Sequence, residues 1–174
     1  MTLKLSFCKA NTLDAEPLTK LINSAYRGES SRKGWTTEAD LLDGSRTDIE
    51  EILSLMATDN SMFILCKADS VLQGSVHLQN TEEGVHIGMF AVNPMLQGRG
   101  IGKALLQAAE EAAQQTWSVK RFVMVVISCR QELIAFYERQ GYRRTGINKE
   151  FPLNPSLWVP KVSDLQLVLL EKIL

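Results

Sequence analysis

Histidine and cysteine are scarce in this chain, with two of the first and three of the second among 174 residues. His77, His86, Cys8, Cys66 and Cys129 are scattered, with no C-x-x-C pair. That spacing supports neither a disulfide framework nor a metal site, and no metal is expected. All three cysteines lie in or beside apolar segments, which reads as buried free thiols and suits a reducing, cytoplasmic setting. Long apolar runs are missing as well. The longest, Phe122 to Ile127, is strand-length and far short of a membrane span. No basic segment followed by an apolar one opens the chain, so a secretory leader is not expected. Neither sign of charge prevails: 19 Lys and Arg against 20 Asp and Glu leave a net charge of −1. Such a balance argues against an electrostatic nucleic-acid binder. The local excess formed by Arg121, Arg130, Arg139, Arg143 and Arg144 reads first as a solvated surface and second as a contribution to a phosphate site. With no repeat or low-complexity tract, the length suits one domain over residues 1–174.

What is present begins with apolar periodicity. Leu3 to Phe7 alternates as a strand. Asp14 opens a helix to about Tyr26, with Leu18, Leu21, Ile22 and Ala25 at helical spacing. A polar loop over residues 27–35 follows, then short helices over Thr37–Leu42 and Asp48–Ala57. Met62–Lys67, Val71–Gln79 and Val85–Val92 read as strands, the last pair joined by a turn at Glu82-Glu83-Gly84. From Ile101, apolar residues recur through Ala113 in one helical stripe, with Lys103, Gln107, Glu110, Glu111 and Gln114 opposite. Phe122–Ile127 is apolar on both faces, as a central strand requires. The strand-helix-strand order predicts a right-handed parallel crossover. A helix over about Gln131 to Gln140 ends at Gly141, a favoured C′ residue. Tyr142–Ile147 and Asp164–Leu170 close the sheet, and Phe151–Pro160 is a proline-broken connection. The class is mixed α/β.

The segment Val92-Asn93-Pro94-Met95-Leu96-Gln97-Gly98-Arg99-Gly100-Ile101-Gly102-Lys103 carries most of the functional information. Alternate glycines let the backbone approach a ligand, and they lead into a helix start whose free N–H groups favour an anion. A phosphate-bearing cofactor fits. A magnesium-binding P-loop does not, because Ala104 offers no hydroxyl and Gln97 stands in place of the first glycine. The dinucleotide fingerprint fails too, since Gly98, Gly100 and Gly102 are one residue short of its spacing.

Gln97, Gly100 and Gly102 match the acetyl-CoA pyrophosphate loop, Gln/Arg-x-x-Gly-x-Gly/Ala, of the GNAT family of N-acetyltransferases. Met89-Phe90-Ala91-Val92 resembles that family's fourth strand, and Ala135-Phe136-Tyr137-Glu138-Arg139-Gln140-Gly141-Tyr142 its tyrosine helix and following strand. The resemblance covers roughly residues 60–145. It implies an acyl-CoA N-acyltransferase fold: a mostly antiparallel sheet with a splayed parallel strand pair, flanked by helices. It implies an acetyl-CoA-binding core over about 61–145 and an acceptor-side part over about 1–60. Acetyl-CoA is then the co-substrate, held by Gln97, Gly98, Arg99, Gly100, Ile101, Gly102 and Lys103 at the pyrophosphate. Phe90, Ala91 and Val92 run beside pantetheine, and an N–H near Phe90–Ala91 polarises the thioester carbonyl.

The expected reaction is direct attack by a primary amine of a small molecule or peptide. Tyr137 is the implied acid, because a phenol titrates near 10 and stays protonated at neutral pH. Spacing alone makes it a packing tyrosine on the Leu133, Ile134 and Tyr137 stripe; the family match reverses that reading. For the base, strand alternation puts His86, Gly88 and Phe90 on one face and Ile87, Met89 and Ala91 on the other. His86 occupies the position of a glutamate used by some members, and neutral imidazole accepts a proton near pH 7. A solvent-facing strand histidine fits equally well, and Glu82, Glu83 and Glu29 are rivals. An asparagine common before the tyrosine helix is replaced by Ser128-Cys129-Arg130-Gln131, leaving Ser128 or Arg130 as substitutes. No motif partners Cys129 with a base, so it is not read as a nucleophile. Acceptor recognition falls to the loop after the first helix, with Tyr26 or Trp35 as a wall and Glu29 or Glu38 meeting an ammonium. A catalytically silent CoA-binding or regulatory module is the alternative. Many members are homodimers, but nothing in the sequence fixes the assembly.

Overall fold

The computed structural model describes residues 2–174. Two α-helical layers enclose a seven-stranded sheet. Strands β1 (Leu5–Lys9), β3 (Ser61–Ala68), β4 (Val71–Thr81), β5 (Gly84–Val92) and β6 (Arg121–Ile127) follow one another across it. Strand β9 (Gln166–Ile173) then separates β6 from β7 (Arg143–Glu150). Every neighbouring pair is antiparallel except β5 and β6, joined in parallel through helix α4 (Ile101–Trp117). The expected crossover is therefore present, and the fold is the mixed one anticipated.

Helix α1 (Ala15–Tyr26) forms because Ala15, Leu18, Leu21, Ile22 and Ala25 recur on one stripe and are all buried. With α3 (Ile49–Ala57), capped by Asp48 Oδ1 accepting from the Glu51 N–H at 2.8 Å, it packs on Phe63, Leu65, Met89 and Ala91. On the opposite face, α4 and α5 (Gln131–Arg139) bury Ile101, Leu105, Leu106, Ala109, Ile134 and Tyr137 against Ile64, Val76, Leu78, Phe122 and Met124. Each fully buried Leu or Ile contributes about 1.5–3 kcal/mol. Helix α5 ends as its sequence directs. Gly141 takes φ +96°, its N–H donates to Glu138 C=O, and the Tyr142 N–H donates to Tyr137 C=O, a Schellman closure.

Several expectations are corrected. Residues 37–41 form no helix; Leu42–Gly44 is instead a short strand, β2, paired with β8 (Trp158–Pro160) drawn from the proline-broken connection. Long-range bonds override local propensity here, the Lys161 N–H reaching Leu41 C=O and Lys161 Nζ reaching Ala39 C=O. The polar loop contains a single-turn helix, α2 (Gly28–Ser31). The first strand is shifted to Leu5–Lys9 by its register on β3, where Leu5 faces Ala68. Only Cys66 is buried, and burial pushes its thiol up to about 11. Cys8 sits on the edge strand and Cys129 in a turn, both exposed. Glu110, expected on the wet face of α4, is buried beneath β9: it accepts from Tyr142 Oη at 2.9 Å and from Lys172 Nζ at 2.8 Å.

Candidate active site

Strand β5 loses its parallel partner early. Only Val85 and His86 pair with β6, opposite Phe122 and Val123, so the two strands splay from Ile87 onward. Pairing with β4 is interrupted as well, because the register shifts between Ser75 and His77. Met89 takes φ +46° at this bulge, a conformation costing about 1–3 kcal/mol that recurs beside functional sites. The bulge inverts the alternation. Val85 and Ile87 join the α4-side core, whereas Met89 and Ala91 join the α1-side core. Phe90 packs on the α4-side core with Ile87, so it does not share a face with His86 and Gly88 as simple alternation required.

On the α4 side of the splay lies a cavity of about 290 Å³. Its lining includes Phe90, Ala91, Val92, Gln97, Gly98, Gly100, Gly102 and Lys103. Gly98 and Gly100 have φ of +80° and +82°, and a Cβ on either would enter open space. The first backbone bond of α4 runs from the Ala104 N–H to Gly100 C=O at 3.1 Å, leaving Ile101, Gly102 and Lys103 as free helix-start donors. Gln97 has another task. Its Oε1 accepts from the Trp35 and Thr36 N–H groups at 2.7 and 3.3 Å, and its Nε2 donates to Val92 C=O at 3.1 Å. The side chain thereby clamps residues 35 and 36 to the end of β5, and a Cβ at Gly34 would push the Gln97 amide out of this position.

On the other side of the splay is a second cavity of about 250 Å³, between β5 and β6 and roofed by Phe151, Pro152 and Trp158. Tyr26, Phe90, Arg130, Leu133 and Tyr137 line both spaces and so mark where they meet. Phe90, Phe136 and Tyr137 form an aromatic cluster, with ring centroids 5.3–6.4 Å apart. Burial, reinforced by Tyr26, pushes the Tyr137 hydroxyl well above the ordinary phenol value, against a smaller opposing effect of Arg130. The phenol therefore stays protonated across the physiological range. Beneath the junction, Glu38 bridges two buried guanidiniums: Arg27 Nη2 at 3.1 Å and Arg130 Nη1 at 2.9 Å. Arg130 Nη2 also donates to Thr36 Oγ1 at 2.7 Å, while its buried Nε–H has no partner.

The structure thus gathers Tyr26, Trp35, Phe90, Ala91, Val92, Gln97, Gly98, Gly100, Gly102, Lys103 and Tyr137 around the first cavity. Arg99 is outside that lining, and Ile101 is core, 2 % exposed. His86 lines neither cavity; its Nε2 lies 3.5 Å from Glu83 at the strand's far end. Glu29 is on the exposed side of α2, paired with Arg32 at 3.1 Å. Glu38 is occupied by arginines and is not an open ammonium partner. Arg27 and Arg46 were missed, since a lone arginine carries no motif. The sequence points to Arg130 through the local basic excess and as a stand-in for the absent asparagine. Of the basic excess, Arg121 and Arg143 pair with Glu171, Arg144 pairs with Glu138, and Arg130 and Arg139 line the first cavity, the latter with Lys103.

A splayed parallel strand pair with a glycine-led helix start at its mouth defines an acyl-CoA N-acyltransferase fold. The chain belongs to the acetyltransferase (GNAT) family, whose sequence model it matches over residues 18–142. It is 27 % identical over 99 residues to the uncharacterized protein YdhI of Bacillus subtilis, covering 54 % of this chain and 60 % of that one. The ribosomal-protein-S18-alanine N-acetyltransferase of Escherichia coli superposes with a TM-score of 0.71 at 12 % identity, covering 98 % of this chain and 94 % of the other. The PaiA N-acetyltransferase of Thermoplasma acidophilum, solved in complex with coenzyme A, gives 0.64 at 18 % identity, covering 99 % and 100 %.

Proposed function

We propose that this protein is an acetyl-CoA-dependent N-acetyltransferase acting on a primary amine of a small molecule or peptide. The observation that carries the reading is the junction: one cavity has an anion-ready helix start, the other opens between β5 and β6, and Tyr137 lines both. The residues fit a CoA ester. Open space at the Gly98 and Gly100 Cβ positions and the free N–H groups of Ile101 to Lys103 suit a pyrophosphate. Lys103 and Arg139 add positive charge at that mouth. Beyond His86 the β5 edge has no β6 partner, so its main chain is free to pair with an amide-bearing arm as an added strand does. The Val92 carbonyl, already accepting from Gln97, contributes less than its neighbours.

When bound, acetyl-CoA supplies the thioester that the amine attacks. The protein aligns the two reactants and excludes water with the Phe90, Phe136 and Tyr137 rings. Tyr137 donates its proton toward the departing sulfur. Among the described residues, Glu38 is the one carboxylate lining either cavity and no histidine does so, and Glu38 is held in ion pairs. The amine loses its proton because apolar walls and nearby guanidiniums both disfavour an ammonium. A phenol at the crossing of the two cavities favours an enzyme over a silent CoA-binding module. Isothermal titration with acetyl-CoA, followed by thiol release over an amine panel, tests the proposal. Saturable one-site binding and amine-dependent thiol release are expected; folded protein that binds no acetyl-CoA would overturn it.

A further inference from the structure

The charge lining the acceptor-side cavity is lopsided. Arg27, Arg46 and Arg130 face it, and Glu38 is its one carboxylate. Glu38 is itself consumed by Arg27 and Arg130, through two bonds to one guanidinium and one to the other. Arg46 has no such partner among the described residues. Its guanidinium lies over the Tyr26 ring, 5.4 Å from the centroid, and its backbone N–H is held by Asn23 Oδ1 at 2.8 Å. Arg130 is 7 % exposed, and its Nε–H is buried without a hydrogen bond. A buried donor left unpaired costs about 1–3 kcal/mol, a cost that the Arg130 bonds to Glu38 and Thr36 offset. The cavity is therefore lined by one guanidinium without a carboxylate partner, by two that share Glu38, and by no free carboxylate among the described residues.

Resting on the acetyltransferase reading, we infer that the acceptor is a small amine that also bears an acidic group, a carboxylate or phosphonate, near the reacting nitrogen. Arg46, with Arg130 lining the same cavity, receives that group. Planar guanidinium and carboxylate match in two parallel hydrogen bonds, and anchoring the acid at the arginines directs the amine toward Tyr137. The same field disfavours a polyamine, whose remaining ammonium groups would meet guanidiniums instead of carboxylates. About 250 Å³ suits a compact amino acid or aminoalkylphosphonate better than a long chain.

The test measures acetyl transfer to a set of amino acids and aminoalkylphosphonates, to their methyl esters, and to spermidine. Calorimetric binding of the same compounds to the protein–CoA complex runs beside it. Acidic amines should exceed their esters and spermidine in kcat/KM by roughly 10- to 100-fold, the value of hydrogen bonds to a charged group. Arg46→Met should raise KM for the acids by a similar factor and erase the preference over esters, with Arg46→Lys restoring part of it. Acetyl-CoA affinity should be unchanged in both variants. Equal or better use of spermidine or esters overturns the inference, as does an absence of binding by every acidic probe to the wild-type complex. Loss of acetyl-CoA binding in the wild type would instead defeat the acetyltransferase reading itself.

Discussion

At the residue scale the three loop glycines are not equivalent. Gly98 and Gly100 hold φ near +80° with open space at the Cβ position. Gly102 sits in the first turn of α4, where a Cβ would meet the Phe136 and Phe90 rings at 3.6–3.7 Å, an ordinary contact. A β-branched residue at positive φ is strained, and its side chain at position 100 would occupy the space before the free N–H groups. Gly100→Val should therefore weaken acetyl-CoA at least about 10-fold in calorimetry, a loss comparable to one charged hydrogen bond, while Gly102→Ala changes it little. Equal affinities in the two variants would contradict the cradle. Tyr137→Phe keeps the ring and removes the proton. Turnover should fall by roughly 100-fold or more, the usual contribution of a general acid, with acetyl-CoA affinity near wild type. Undiminished kcat across pH would exclude the acid role.

At the element scale the β4–β5 pair combines a bulge at the splay with a buried titratable group. His77 is on β4, 8 % exposed, tilted over Phe63 at 4.8 Å, with Nε2 2.7 Å from Ser61 Oγ. Burial, with a smaller push from Arg46, lowers its pKa to about 4. The unfolded chain binds this proton near pH 6.5, whereas the folded chain refuses it until about pH 4. Stability from this group is thus complete above pH 6.5 and declines as pH falls through that window, by about 3 kcal/mol at its lower end. Urea melts at pH 7.5 and pH 4.5 should show the loss in wild type and a smaller one in His77→Gln. Identical losses would mean that His77 is not the titrating group.

At the scale of the whole molecule, Arg27, Glu38 and Arg130 tie the end of α1 and the loop before β2 to the start of α5. All three are buried, so removing the central charge leaves two guanidiniums uncompensated, which costs about 3–5 kcal/mol. Glu38→Gln should lower Tm by roughly 10 °C for a chain of this size; a shift under about 2 °C would mean that solvent already screens the triad. The clamp of Gln97 on the Trp35 and Thr36 amides belongs to this scale too. It joins the glycine loop to residues 35 and 36, two segments that line the first cavity from distant parts of the chain.

The sequence alone determined the longer strands and helices and their order, the parallel crossover, the αL end of α5 and the glycine-led start of α4. These depend on neighbours within a few residues, where periodicity, caps and glycines speak directly. It also singled out Tyr137, because a family motif overrode a spacing that read as packing. Tertiary structure decided the rest. The bulge at Met89 moved Phe90 to the opposite face from His86, since a single inserted residue inverts every side chain beyond it. Pairing with β8 replaced the helix expected over residues 37–42, because bonds from Lys161 outweigh local propensity. Arg27, Glu38 and Arg130 came together from distant segments, and long-range ion pairs leave no periodic trace in a single chain. The glycine-led start of α4 was therefore legible, whereas the charge of the second cavity emerged only once the fold had brought those arginines to its lining.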